Sequence, residues 1–92
     1  MTYDWDEVSY VISSQYRLAV VDELANAPAT PTKIASEAEF ATSHVSRAVG
    51  RLLDRSIVEL TVPESQRMNR EYRLTKKGRR LWDAITEADL VS

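Results

Sequence analysis

Apolar residues recur along the chain first at helical spacing, then at every second position, then at helical spacing again. Tyr3 to about Ile12, rich in aromatic and β-branched residues, reads as a short opening helix. Ser13 and Ser14 offer an N-cap for a second helix, Gln15 to Ala25. There Leu18, Val21, Leu24 and Ala25 share one stripe, with Arg17, Asp22 and Glu23 outside it, and Asn26-Ala27-Pro28 ends the run. Thr30-Pro31 marks the next start, a hydroxyl cap followed by a proline whose missing N–H costs nothing there. This helix runs to about Ala38, with Ile34, Ala35 and Ala38 inward. A turn through Phe40 leads to Thr42 or Ser43 as cap of a fourth helix, which reaches about Arg55. Val45, Val49, Leu52 and Leu53 form its docking stripe. The opposite face carries Ser43, Ser46, Arg47, Gly50, Arg51 and Asp54.

After Ser56 the period changes to two. Val58, Leu60 and Val62 alternate with Ile57, Glu59 and Thr61, as in a half-buried strand. Pro63 stops it, and Glu64 to Asn69 is a polar loop. A return strand follows, with Tyr72 and Leu74 inward and Arg73 outward. Thr75 caps a last helix whose stripe is Leu81, Trp82, Ile85 and Ala88. The pattern predicts a mainly α fold with a small β-hairpin (α+β), ordered as helices, hairpin, helix. The 92 residues suit a single domain spanning 1–92, since two halves would each be too small to hold a core.

Charge changes the picture more than composition does. The net charge is −2, yet residues 1–40 carry −5, residues 41–80 carry +6 and residues 81–92 carry −3. A basic middle between acidic ends predicts one cationic face on an acidic molecule. Cysteine is absent, which excludes disulfides, thiolate metal sites and cysteine nucleophiles. No apolar run approaches the roughly 18–20 residues of a membrane span, and the acidic, aromatic opening is unlike a signal peptide. A cytoplasmic location without membrane association is therefore expected.

The order of elements and several local stretches carry a family resemblance. These are Ser14-Gln-Tyr-Arg-Leu-Ala-Val-Val-Asp-Glu-Leu24, Thr30-Pro-Thr-Lys-Ile-Ala35, His44-Val-Ser-Arg-Ala-Val49, Leu52-Leu-Asp-Arg-Ser-Ile-Val58 and Tyr72-Arg-Leu-Thr-Lys-Lys-Gly78. Together they resemble the winged helix-turn-helix regulators of the MarR and ArsR type found in archaea, over roughly residues 14–82. One departure is Ser56, where such proteins usually carry Gly at the helix end. A left-handed Ser costs on the order of 1 kcal/mol.

The resemblance implies that residues 30–38 are the first helix of the motif and 42–55 the recognition helix, set in the major groove of double-stranded DNA. The loop 63–70 would be a wing on the minor groove or backbone. The implied activity is that of a sequence-specific transcriptional regulator, a homodimeric repressor acting by steric occupancy. The residue chemistry agrees. Thr42, Ser43, His44, Ser46, Arg47 and Arg51 offer short hydroxyls and long forked donors suited to bases and phosphates, with Thr32 on the preceding helix. Arg67, Asn69 and Arg70 have the composition of a wing. Lys76 and Lys77 sit in the first turn of the last helix, where positive charge opposes the dipole, so a role facing phosphate would account for them. Gly50 is expected either to allow a close approach by DNA or to be tolerated drift.

Nothing supports an enzyme. His44 is the only histidine and builds no metal site alone, and the carboxylates read as solvated acidic faces. No nucleophile–base pair, phosphate-cradling Gly-rich loop or dinucleotide fingerprint occurs. No cofactor is expected, and the sequence identifies no small-molecule effector. Tyr3, Trp5, Tyr10, Leu81, Trp82 and Ile85 concentrate apolar surface in the terminal helices, about 3–12 and 76–91, and predict a homodimer through them. The other reading of the fold is a winged-helix module that binds protein and has no specific affinity for DNA.

Overall fold

The computed structural model describes residues 5–61 and 70–88. Within them lie α1 (Trp5–Ile12), α2 (Gln15–Asn26), α3 (Pro31–Ala38), α4 (Thr42–Asp54), β1 (Val58–Leu60), β2 (Tyr72–Leu74) and α5 (Lys76–Glu87). Local sequence accounts for most boundaries. The Ser14 hydroxyl accepts from the Arg17 amide, that of Thr30 from Lys33, and that of Thr75 from Gly78, each satisfying an orphan donor of a first turn. This is the winged-helix fold: a helical body, an antiparallel hairpin and a closing helix.

The expected cap of α4 needs correction. Ala41 occupies the N-cap and no side chain caps the helix, so neither Thr42 nor Ser43 does so. Both hydroxyls instead lie inside the first turn, exposed.

The core gathers Val8 and Val11 of α1, Val20, Val21 and Leu24 of α2, Ile34 of α3, Val45, Val49 and Leu52 of α4, and Leu81 and Ile85 of α5. Three stripes are turned from their expected positions. Helix α2 contacts α1, α3, α4, α5 and β2, so its buried arc shifts to include Val20 and leaves Leu18 and Ala25 only partly covered. On α4 Ala48 is buried while Leu53, at the edge of the stripe, is 39% exposed. On α5 Ala84 is buried and Ala88, the helix C-cap, is exposed.

The left-handed conformation at Ser56 is real, with φ 61°. The Ile57 amide donates to the Leu52 carbonyl at 2.9 Å and the Ser56 amide to Leu53 at 3.0 Å. That is a Schellman ending, in which the residue after the left-handed one packs back on the helix. It explains a further correction: Ile57, assigned to the outer face of the strand by alternation, is fully buried. Glu39 is also left-handed (φ 61°), and the Phe40 amide closes on the Ala35 carbonyl at 3.0 Å.

Strands β1 and β2 pair Val58 with Leu74, Glu59 with Arg73 and Leu60 with Tyr72. Tyr72 and Leu74 point inward as the alternation predicts. Arg73 Nε lies 2.9 Å from Glu59 Oε2 across the exposed face. Ala29 exchanges both backbone hydrogen bonds with Tyr72, at 3.0 and 2.9 Å. The loop before α3 thereby adds a third, one-residue strand, which ties the helix-turn-helix to the wing. Val62, Pro63 and the loop through Asn69 lie outside the described residues.

Candidate nucleic-acid interface

Helix α4 is held against α2 and α3 by Val45, Ala48, Val49 and Leu52, all buried. That anchoring leaves Thr42, Ser43, His44, Ser46, Arg47, Gly50 and Arg51 exposed on the remaining surface. Among the described residues, Arg47 and Arg51 have no ion-pair or hydrogen-bond partner, and the hydroxyls of Thr42, Ser43 and Ser46 are likewise uncommitted. An exposed helix face with open donors can meet base edges and phosphates without first breaking internal bonds. Thr32 is exposed on α3, and Arg70 at the foot of the wing. Arg67 and Asn69 lie outside the described residues.

The start of α4 is fixed by aromatic packing that sequence reasoning missed. Tyr16 of α2 stacks on His44 with ring centroids 4.7 Å apart and meets the edge of Phe40 at 4.8 Å. His44 is thus both exposed at its rim and braced against α2. Tyr16 gives no sign of this in the local pattern, because its partners lie more than twenty residues away.

The end of α4 is braced by charge. Glu7 of α1 is buried, and its carboxylate is shared by Arg55, at 2.8 Å, and Lys77. Lys77 Nζ also donates to the Arg55 carbonyl at 2.8 Å. The Arg17 and Arg55 guanidiniums lie 3.9 and 3.7 Å from the Tyr10 ring centroid. Two guanidinium planes at that range take opposite faces of one ring.

This arrangement corrects the expectation for Lys77. Its ammonium is half-buried and already satisfied within the chain, and Glu7 compensates the unfavourable dipole. Of the two lysines only Lys76 is exposed. Burial pushes the Glu7 carboxyl up, but the hydrogen bonds and charges of Lys77 and Arg55 outweigh that and hold it below its ordinary value near 4.5. A depressed carboxylate contributes stability that is present above its unfolded pKa and lost as pH falls through the folded one. Glu7→Gln is therefore expected to cost about 1.5–3 kcal/mol at pH 7, since two cations lose their charged acceptor. Thermal melts from pH 7 to pH 3 check this, with the gap between wild type and variant closing in the acid range. Lys77→Gln lowers the melting temperature, and Lys76→Gln does not.

Gly50 lies on the open face of α4, and a Cβ built there meets nothing within 4 Å. Gly50→Ala is expected to stabilise the domain by up to about 1 kcal/mol through helix propensity alone. If duplex affinity falls as stability rises, DNA approaches this position closely.

The residues expected at a dimer interface divide. Leu81 and Ile85 are 3% and 0% exposed, consumed by the chain's own core, and so leave the candidate set. Tyr10 is partly buried between the two arginines. Trp5 is 52% exposed and Trp82 partly so, while Tyr3 lies outside the described residues. Among the described residues no group of three His, Asp or Glu side chains is placed to hold a metal ion. No helix of these residues is long and apolar enough to cross a membrane.

The family model described as the HVO_A0261 N-terminal domain matches residues 5–91. The chain belongs to this family. No curated protein matches it. Among solved structures it is similar to NMB1585, a MarR family regulator from Neisseria meningitidis, with a TM-score of 0.74 and 23% identity over 84% of this chain and 55% of that one. A MarR family transcription regulator, SP03579, superposes with a TM-score of 0.75 and 16% identity, over 92% and 60%. Mb0332 from Mycobacterium bovis gives 0.71 and 19% over 89% and 74%; it is described as a homodimeric winged helix-turn-helix DNA-binding domain of a possible ArsR-family regulator. The chain spans just over half the length of the Neisseria regulator. At these identities the likeness is one of fold: a winged helix-turn-helix resembling the MarR and ArsR regulators.

Proposed function

We propose that this chain is the DNA-binding domain of a transcriptional regulator, reading duplex DNA with α4 in the major groove and the loop 63–70 on the minor groove or backbone. The observation that carries this reading is the exposed face of α4. Ser43, Ser46, Arg47 and Arg51 stand open on a helix whose other face is locked into the core. The segregation of cations into residues 41–80 of an acidic chain supports it. Arg47 is assigned to a base edge, and Thr32, Thr42, Ser43, His44, Arg67, Asn69, Arg70 and Lys76 to bases or phosphates. Repression by occupancy follows if the site overlaps a promoter.

The domain acts as a homodimer in this reading, as Mb0332 is described to be. Trp5 on α1, which is exposed, and Trp82 on α5, partly so, supply apolar surface for it. A two-fold pair would present two copies of α4 to half-sites about one helical turn apart, roughly 10–11 bp. Genome-wide mapping of bound DNA, followed by binding assays on the recovered sites, tests the function. Arg47→Ala is expected to cost about 1–3 kcal/mol on the cognate site and to flatten discrimination at one base pair. Equal weakening of cognate and random duplexes would instead make Arg47 a phosphate contact. Failure to enrich any DNA would favour the protein-binding reading.

A further inference from the structure

A recess of about 150 Å³ opens between the start of α2 and the flank of α4. Its walls are Ser14, the N-cap of α2, with Tyr16 and Arg17, and His44, Arg47, Ala48 and Arg51 from α4; among the described residues no carboxylate lines it. Three arginines among the lining residues make the recess electropositive, which favours an anion there. Arg17 is held in place for such a role. Its Nε donates to the Tyr10 carbonyl at 2.7 Å, one terminal nitrogen donates to Ser13 Oγ at 2.9 Å, and the Tyr10 ring backs the plane. Those bonds use only part of its donor fork, and Arg17 is one of the residues lining the recess. Arg51 brings from the α4 wall a fork with no partner among the described residues, and the stacked rings of His44 and Tyr16 also line the recess.

We propose that this recess is a phosphate site: it takes one phosphate group between Arg17 and Arg51. With α4 in the major groove, that group is a backbone phosphodiester on the groove's edge. This assignment rests on the DNA reading above and deepens it. It divides the cations of α4 by task, with Arg51 and the wall of α2 gripping the backbone while Arg47 reaches past them to a base. It also brings Ser14 and Arg17, which lie outside the helix-turn-helix proper, into the interface. The chemistry fits because a forked guanidinium matches the paired oxygens of a phosphate, and a position fixed in advance loses little entropy on binding.

The same oxygens occur in free phosphate, so the test has two arms. In the first, duplexes carrying a neutral methylphosphonate at one backbone position at a time are titrated with wild type, Arg51→Ala and Arg17→Lys. Wild type is expected to lose affinity sharply at one position per half-site. Arg51→Ala should lose that sensitivity, weaken cognate and random duplexes by similar factors, and shallow the salt dependence by about one. Arg17→Lys keeps the charge but not the fork, and is expected to bind with intermediate affinity. Arg80→Gln, which removes a charge on α5 away from the recess, should leave the methylphosphonate profile unchanged. In the second arm, inorganic phosphate is titrated at constant ionic strength while backbone amide resonances are followed, and shifts should centre on residues 14–17 and 44–51.

Duplex binding with an Arg51→Ala profile identical to wild type overturns the phosphate site and leaves the DNA reading standing. Phosphate shifts at the recess without any duplex binding uphold the site, assign it to a free anion and overturn the DNA reading. Absence of both overturns both. A folded spectrum for each variant separates lost binding from lost structure.

Discussion

Gly78→Ala is expected to destabilise the domain by about 3 kcal/mol or more, a large share of the roughly 5–14 kcal/mol that a chain of this size holds. A methyl group in a helix usually helps, by about 1 kcal/mol over glycine. Here a Cβ would fall inside the van der Waals envelope of the Ile57 carbonyl oxygen and 3.2 Å from Leu74 Cδ2. The carbonyl, being backbone, cannot give way cheaply. The Ile57 carbonyl accepts from the Thr75 amide at 3.0 Å, and the Thr75 hydroxyl bonds to the Ser56 carbonyl at 2.6 Å. Moving α5 away would break that junction and loosen the Schellman ending of α4 beside it. Thermal unfolding should register a fall on the order of 15 °C. The contrast with Gly50→Ala is the control: the same substitution in another helix, with open space around it, should raise the melting temperature. A Gly78→Ala variant as stable as wild type would mean that α5 does not seat on the Ile57 carbonyl.

The elements were legible because their signals are local. Thr30-Pro31, Ser14 and Thr75 specify helix starts within a few residues, and Tyr72-Arg73-Leu74 shows its two faces by alternation. The exposed face of α4 was equally legible, since 100° per residue separates Arg47 and Arg51 from Val45 and Val49 without reference to anything else. What escaped the sequence depends on pairs far apart in the chain. Lys77 reads as an unfavourable charge until Glu7, seventy residues earlier, is folded beside it. Ile57 reads as an outward strand residue until the left-handed Ser56 turns it back onto Leu52. Ala29 carries no strand pattern, being a single residue that pairs with Tyr72. Leu81 and Ile85 read as surplus apolar surface, but α1 and α2 cover them. The α2 wall of the phosphate recess was missed for the same reason. Tyr16 and Arg17 contribute through the flank of a helix that, taken alone, shows only its own buried stripe.

Duplex affinity should fall steeply with salt despite the net charge of −2. Counterion release depends on the phosphates neutralised locally, not on the charge of the whole protein. If a dimer neutralises four to six phosphates, the slope of log K against log salt is about −3.5 to −5.5, so a fourfold rise in salt weakens binding by about two to three orders of magnitude. Fluorescence anisotropy on a bound duplex between 0.1 and 0.4 M salt measures it. The acidic residues sharpen the experiment. Of the carboxylates on α1, Glu7 is turned inward to Arg55 and Lys77, so its charge does not oppose the approaching backbone. On β1, Glu59 is paired with Arg73. Among the described residues no carboxylate pairs with the exposed forks of Arg47 and Arg51, and each should contribute its own step to the slope. Removing Arg51 should shallow the slope by about one, whereas Lys77→Gln should leave it unchanged, because that ammonium is already spent on Glu7. A flat titration, with no loss between the two salt concentrations, would make the arginines of α4 solvated charges and leave a protein partner as the ligand of this winged helix.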